Sequence, residues 1–151
     1  MRIDILGAGA MGCLFGALLS RGNEVRLADP NRAKLAALKE RGVTVVEPDG
    51  SSFTAFPSLR TPEETSGGPP ELLLVFVKSS REREALEAVK PSLGPDTLLL
   101  TLQNGMGHEK AMEEAAPPTR ILLGATQHNA SLENVGVVRH GGAGYTQIGA
   151  L

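Results

Sequence analysis

The first dozen residues constrain this chain more than any other stretch. Arg2 to Leu6 reads as a short strand, and Gly7-Ala8-Gly9-Ala10-Met11-Gly12 is a G-x-G-x-x-G turn leading into an apolar, proline-free run from Cys13 to Ser20. Strand, glycine turn and helix in that order form the fingerprint of a dinucleotide-binding βαβ unit. In such a unit Gly7 makes the tight turn, Gly9 lets a pyrophosphate approach the backbone, and Gly12 lets the helix pack closely on the strand. Ala8, Ala10 and Met11 complete the turn. Free N–H groups at the helix start, together with the positive end of its dipole, then form an anion site. The same residues also suit a strand-to-helix turn that binds nothing, so the motif gains weight only from the rest of the chain.

The next residues have the expected rhythm. Arg21-Gly22-Asn23 ends the first helix, and Glu24 to Asp29 reads as a second strand. Asp29 falls seventeen residues after Gly12, where a carboxylate can bond the adenosine ribose 2′-OH. Asp29 is therefore the candidate ribose ligand, although Asp29-Pro30 also suits the start of the next helix, about Asn31 to Arg41. Arg32 can instead meet a 2′-phosphate, so Asp29 points to NAD and Arg32 to NADP. In this helix Leu35 and Leu38 share an apolar face, with Lys34, Lys39, Glu40 and Arg41 placed in water.

Val43 to Val46 and Ser52 to Phe56 flank Pro48-Asp49-Gly50 and predict a hairpin that interrupts the βαβ pattern. Thr61 to Pro70 reads as a surface loop. The apolar runs Glu71 to Val77 and Thr97 to Leu102 predict central parallel strands covered on both faces, and Arg120 to Gly124 a further strand. Helices are expected over about Ser79 to Lys90 and His108 to Ala115. Gln127 to Ala130, Gly136 to His140 and Tyr145 to Ile148 predict short antiparallel strands appended to the parallel sheet. The fold class is α/β: a Rossmann-type, doubly wound, mostly parallel sheet, with residues 1–151 as one dinucleotide-binding domain.

A formal net charge of −2 leaves no basic face to hold nucleic acid or an anionic membrane. Without a membrane-length apolar run or a signal-type segment at the N-terminus, the expected location is cytoplasmic. The single cysteine, Cys13, is expected to be a buried, inert thiol. His108, His128 and His140 show no metal-ligand spacing; structural or solvated roles are expected, and no metal site.

In an open parallel sheet the ligand lies beyond the carboxyl ends of the strands. Besides the glycine turn, two polar stretches come directly after strands: Lys78-Ser79-Ser80 and Gln103-Asn104-Gly105-Met106-Gly107. Lys78 can offer a charge to a phosphate, a ribose hydroxyl or a carboxylate, or simply reach solvent. Asn104 can serve a turn or orient a carboxamide or hydroxyl of a ligand.

Gly7 to Gly12, Leu74 to Lys78, Gln103 to Gly107 and Tyr145 to Gly149 together resemble the N-terminal domain of the ketopantoate reductase family across essentially the whole chain. The resemblance implies reduction of a 2-oxo acid, ketopantoate, to pantoate by a nicotinamide cofactor, NADPH in most of the family. It implies that Lys78 and Asn104 line the nicotinamide and substrate cleft as catalytic and cofactor-binding residues. It also implies a C-terminal helical domain, absent from these 151 residues, that carries the general-acid lysine and a substrate-binding glutamate; without it the chain is expected to be inactive. The sequence departs from the family in placing Asp29-Pro30-Asn31-Arg32 where an arginine usually holds the 2′-phosphate. The expected partner is a small-molecule 2-oxo acid; for the intact protein a homodimer and a monomer are both open. Two other readings compete: a two-domain hydroxy-acid or glycerol-phosphate dehydrogenase, and a regulatory domain that senses NAD(H) without chemistry.

Overall fold

The computed structural model describes residues 1–105 and 107–151; Met106, within the Gln103 to Gly107 motif, lies outside them. The elements run β1 (Arg2–Leu6), α1 (Ala10–Leu19), β2 (Glu24–Ala28), α2 (Arg32–Arg41), β3 (Val43–Val46), β4 (Ser52–Ala55), β5 (Ser58–Arg60) and β6 (Leu72–Val75). They continue with α3 (Glu82–Val89), β7 (Leu98–Thr101), α4 (His108–Glu113), β8 (Ile121–Thr126), β9 (Asn129–Asn134), β10 (Val137–Gly142) and β11 (Thr146–Ala150).

The main sheet has the order β11-β8-β7-β6-β1-β2-β5. Every neighbouring pair is parallel except β11 and β8, which are antiparallel. The chain winds outward from β1 through β2 to β5, then returns to β6 on the other side of β1 and winds the opposite way. That reversal at β1 and β6 is the switch point at which open α/β sheets bind ligands.

The strands are buried on both faces, which is why they read as nearly continuous apolar runs. On one face Ile3, Ile5, Leu27, Leu74 and Leu100 pack with Leu14 and Ala17 of α1. On the other, Leu73, Val75, Leu99 and Ile121 pack with Leu86 and Val89 of α3 and Met112 of α4. Burying each large aliphatic side chain contributes roughly 1.5–3 kcal/mol.

The tail differs from the expectation of three strands appended to the parallel sheet. Only β11 joins it. A second sheet has the order β4-β3-β10-β9, in which β10 runs parallel to β3 and antiparallel to β9. The hairpin β3–β4 therefore founds this second sheet, which closes over α1 through Val43, Val45 and Val138. Those three valines are the physical reason: their apolar face has the same core to join, and β10 supplies the missing neighbour. The sequence also concealed β5, whose three residues come after Pro57 and pair with β2 at the edge of the main sheet.

One buried polar cluster breaks the apolar rule. Asp4 of β1 is fully buried and accepts from Arg26 Nε of β2 at 2.5 Å and from Arg60 Nη2 of β5. Arg26 also donates to the carbonyls of Ser66 and Gly68, and Arg60 to that of Glu64. One carboxylate thus holds two guanidiniums, and these pin the 61–70 loop over the sheet edge. Burial pulls the Arg60 guanidinium below its ordinary value while Asp4 opposes the shift.

Asp4→Ala should strand both arginines and lower unfolding stability by about 3–5 kcal/mol in urea titration; a loss under about 1 kcal/mol would contradict this account of the cluster. Cys13 is buried on α1, and burial pushes its thiol up to about 11. The native protein should therefore resist a thiol reagent at neutral pH and react promptly once unfolded; fast native labelling would contradict the burial.

Candidate functional site

The glycine turn crosses the carboxyl ends of three strands. Gly7 has φ of +104° and its N–H donates to the Ala28 carbonyl at 2.8 Å. A β-carbon at Gly7 would lie 2.9 Å from the Phe76 carbonyl oxygen, so the turn fits only a residue that lacks one. At Gly12 a β-carbon would lie 1.8 Å from the Gly7 carbonyl oxygen. Helix α1 is consequently seated directly on the turn, with its first turn built from the motif itself rather than beginning at Cys13. Gly9 is the N-cap of α1 and lends no side chain to the helix end. The first-turn N–H groups of Ala10, Met11 and Gly12 thus lack intrahelical partners. A β-carbon on Gly9 would meet nothing within 4 Å, so this face of the turn is open to a ligand.

Asp29 sits behind the turn and is only 6% exposed. Its Oδ2 accepts from the Ala8 N–H at 3.0 Å and from Lys34 Nζ at 2.7 Å, and its Oδ1 accepts from the Asn31 N–H at 2.9 Å. Asp29 therefore joins the glycine turn to the start of α2. It is not the helix cap: that is Asn31, whose Oδ1 accepts from the Lys34 N–H at 3.0 Å. Lys34 departs from the expectation that it points into water; Asp29 draws it back against the sheet end. Arg32 lies exposed on the first turn of α2.

Gly7, Gly9, Asp29, Lys34 and Lys78 line one cavity of about 350 Å³ at the ends of β1, β2 and β6. Phe76 and Val77 form part of its floor, and Pro62, Glu63 and Arg81 stand at its wall. The structure thus brings together four residues picked from the sequence, Gly7, Gly9, Asp29 and Lys78. It leaves Arg32 and Asn104 outside the lining of that cavity. Lys34, Glu63 and Arg81 were missed. Lys34 and Glu63 owe their positions to the Asp29 ion pair and the pinned 61–70 loop, neither of which has a local sequence signature, whereas Arg81 ends the short 3-10 turn that follows Lys78.

Asn104 is exposed on the loop after β7, the strand next to β6 in the sheet. Its carbonyl oxygen lies 3.2 Å from His108 Nε2. The other two histidines form a chain with a carboxylate: Glu47 Oε2 lies 2.7 Å from His140 Nδ1, and His140 Nε2 lies 2.9 Å from His128 Nδ1. Because a carboxylate only accepts, neutral rings here carry their protons on both Nδ1 atoms. This chain links the β3–β4 hairpin to β9 and β10, and the edge of His128 meets Phe15 of α1. His128 and His140 therefore serve the packing of named elements.

No helix among the described residues is long and apolar enough to cross a membrane. The sequence profile of the family described as ketopantoate reductase PanE/ApbA matches residues 3–151. The chain is 35% identical over 150 residues to a 2-dehydropantoate 2-reductase of Halobacterium salinarum, covering 99% of this chain and 49% of that protein. It is also 35% identical to the 2-dehydropantoate 2-reductase of Lactococcus lactis, covering 98% of this chain and 48% of that one. Among solved structures, 2-dehydropantoate 2-reductase from Geobacter metallireducens superposes with a TM-score of 0.87 at 34% identity, covering 99% of this chain and 49% of that one. D-mandelate dehydrogenase in its ternary structure with NADH and anilino(oxo)acetate superposes with a TM-score of 0.91 at 33% identity, covering 98% and 48% respectively. The chain spans about half the length of each of these relatives. With a glycine turn, a switch-point cavity and a profile that runs almost from end to end, this chain belongs to the ketopantoate reductase PanE/ApbA family.

Proposed function

We propose that the chain is the dinucleotide-binding half of a nicotinamide-dependent 2-oxo acid reductase, with 2-dehydropantoate as the substrate and pantoate as the product. The observation that carries the reading is the open face of Gly9 at the uncapped start of α1, directly above the cavity between β1 and β6. Ala10, Met11 and Gly12 offer their N–H groups to the pyrophosphate there. Asp29 and Lys34 face the adenosine ribose. Lys78, exposed at the exit of β6, stands on the opposite side of the glycine turn and supplies a cation to a phosphate, ribose or carboxylate oxygen. Asn104, one strand further along the sheet, orients the nicotinamide or the substrate carbonyl. A bound nicotinamide supplies the hydride; this chain holds and orients it. The proton donor and the opposite wall of the cleft belong to a helical half that the longer relatives leave room for, and in this reading residues 1–151 alone do not turn over.

A second substrate reading rests on a specific likeness. D-mandelate dehydrogenase is as similar to this chain as the 2-dehydropantoate 2-reductases are. Its ternary structure with anilino(oxo)acetate favours the broader class of 2-oxo acids with bulky side chains. The protein is expected to act in the cytoplasm; a homodimer of the intact enzyme remains part of the proposal.

The cofactor form rests on charge. A 2′-phosphate placed at Asp29 would meet a carboxylate whose nearest cation, Lys34, is already engaged at 2.7 Å. NADH is accordingly the preferred form. Calorimetric titration should give tighter binding of NADH than of NADPH, whereas failure of both to bind at millimolar concentration would overturn the proposal. Asp29→Asn keeps an acceptor for the Ala8 N–H but frees Lys34, and should raise the NADPH-to-NADH affinity ratio about tenfold. An unchanged or lower ratio would show that Asp29 and Lys34 do not govern the choice.

A further inference from the structure

His108 stands between two acceptors. Its Nδ1 lies 2.8 Å from Glu82 Oε2, on the first residue of α3, and its Nε2 lies 3.2 Å from the Asn104 carbonyl oxygen. Glu82 and His108 are both buried, at 4% and 7% exposure. The other carboxylate oxygen of Glu82 accepts from Gln103 Nε2 at 3.1 Å. Thus both residues at the front of the loop after β7 are tied to Glu82, Gln103 directly and Asn104 through the imidazole.

A neutral imidazole has one N–H, and neither a carboxylate nor a carbonyl can donate. A neutral ring can therefore satisfy only one of these neighbours, and leaves its other lone pair facing an oxygen. Only the imidazolium donates to both. We propose that Glu82 and His108 form a positioning pair whose charged state clamps the Asn104 backbone carbonyl and so sets where the Asn104 side chain meets the nicotinamide end of the ligand. The inference rests on the proposed role of Asn104 at the nicotinamide or the substrate carbonyl.

The groups around the ring agree with a charged state. Glu82 faces it from α3 and Glu109 from its own helix, while Thr101 and Gln103 beneath do not titrate; Arg83, also on α3, is paired at the surface with Glu114. The hydrogen bond that the His108 ring donates to Glu82 raises the His108 pKa above its ordinary value, burial opposes this, and the Asn104 carbonyl and the charges of Glu82 and Glu109 add to the rise. With the folded value raised, the clamp is complete at low pH and is lost as pH rises through the folded value, above the ordinary histidine value of about 6.5. Loss of the Nε2 proton releases the Asn104 carbonyl first, because the carboxylate retains the proton on Nδ1.

The test is a pH titration of the ¹⁵N-labelled protein, reading the His108 ring nitrogens and the backbone amide of Gly105, with affinities for NADH and AMP measured across the same range. The Gly105 amide should move with the same midpoint as the His108 ring, and NADH affinity should fall about fivefold or more above that midpoint while AMP affinity stays level. Glu82→Gln should lower the shared midpoint, and His108→Gln should abolish the Gly105 titration. A Gly105 amide indifferent to the His108 ring overturns the clamp, and this needs no variant. Equal changes in NADH and AMP affinity overturn the positioning role. Failure of the wild-type protein to bind either ligand would instead overturn the cofactor reading, leaving the amide titration to decide the clamp by itself.

Discussion

Helix α1 and strand β1 approach so closely that a β-carbon on Gly12 would fall 1.8 Å from the Gly7 carbonyl oxygen. That contact fixes where α1 starts, and with it the direction in which its first N–H groups point. Because α1 lies between the two sheets, the same contact also sets the platform on which β3, β9 and β10 close. A bulkier residue here would have to lift the helix from the strand, which would misplace the proposed anion site and open the core behind it. Packing and the direction of the first N–H groups of α1 are therefore one constraint at this position, not two.

Around that contact the charged residues have divided work. Asp29 uses both carboxylate oxygens to join the Ala8 N–H, the Asn31 N–H and Lys34, so the turn after β1 and the start of α2 move as one unit. Asp4 does the corresponding work at the sheet edge, where Arg26 and Arg60 carry its charge into the 61–70 loop. Pro62 and Glu63 of that loop then form a wall of the cavity. Asp4 is matched by two guanidiniums, and Asp29 by Lys34 and two backbone N–H groups, the condition under which burying charge is tolerated.

The parallel half of this fold is readable in the sequence because its signals are local. A glycine turn between a strand and a helix, apolar runs at Leu72–Val75 and Leu98–Thr101, and glycines at helix exits all announce themselves within a few residues. The hidden features depend on distant pairing. Val137–Arg139 align with Thr44–Val46 across some ninety residues of chain, and no periodicity marks which sheet a short strand will join. Lys34 looked solvated because its partner Asp29 lies five residues back, beyond the helix start. In the site, Gly7, Gly9, Asp29 and Lys78 were legible from their places at or just after strand ends. The pairing of Glu82 with His108 was not, since it joins the first residues of two different helices. The motif singles out Asn104, which lies outside the cavity lining, while the group that holds its carbonyl carries no local signal.

The most direct test of the central claim, that the uncapped start of α1 is a pyrophosphate site, is amide chemical-shift mapping with NADH. The account predicts that Ala10, Met11 and Gly12 amides show the largest shifts, and that inorganic pyrophosphate alone moves the same three in the same direction. Saturating NADH that left these amides in place while shifting others would contradict it.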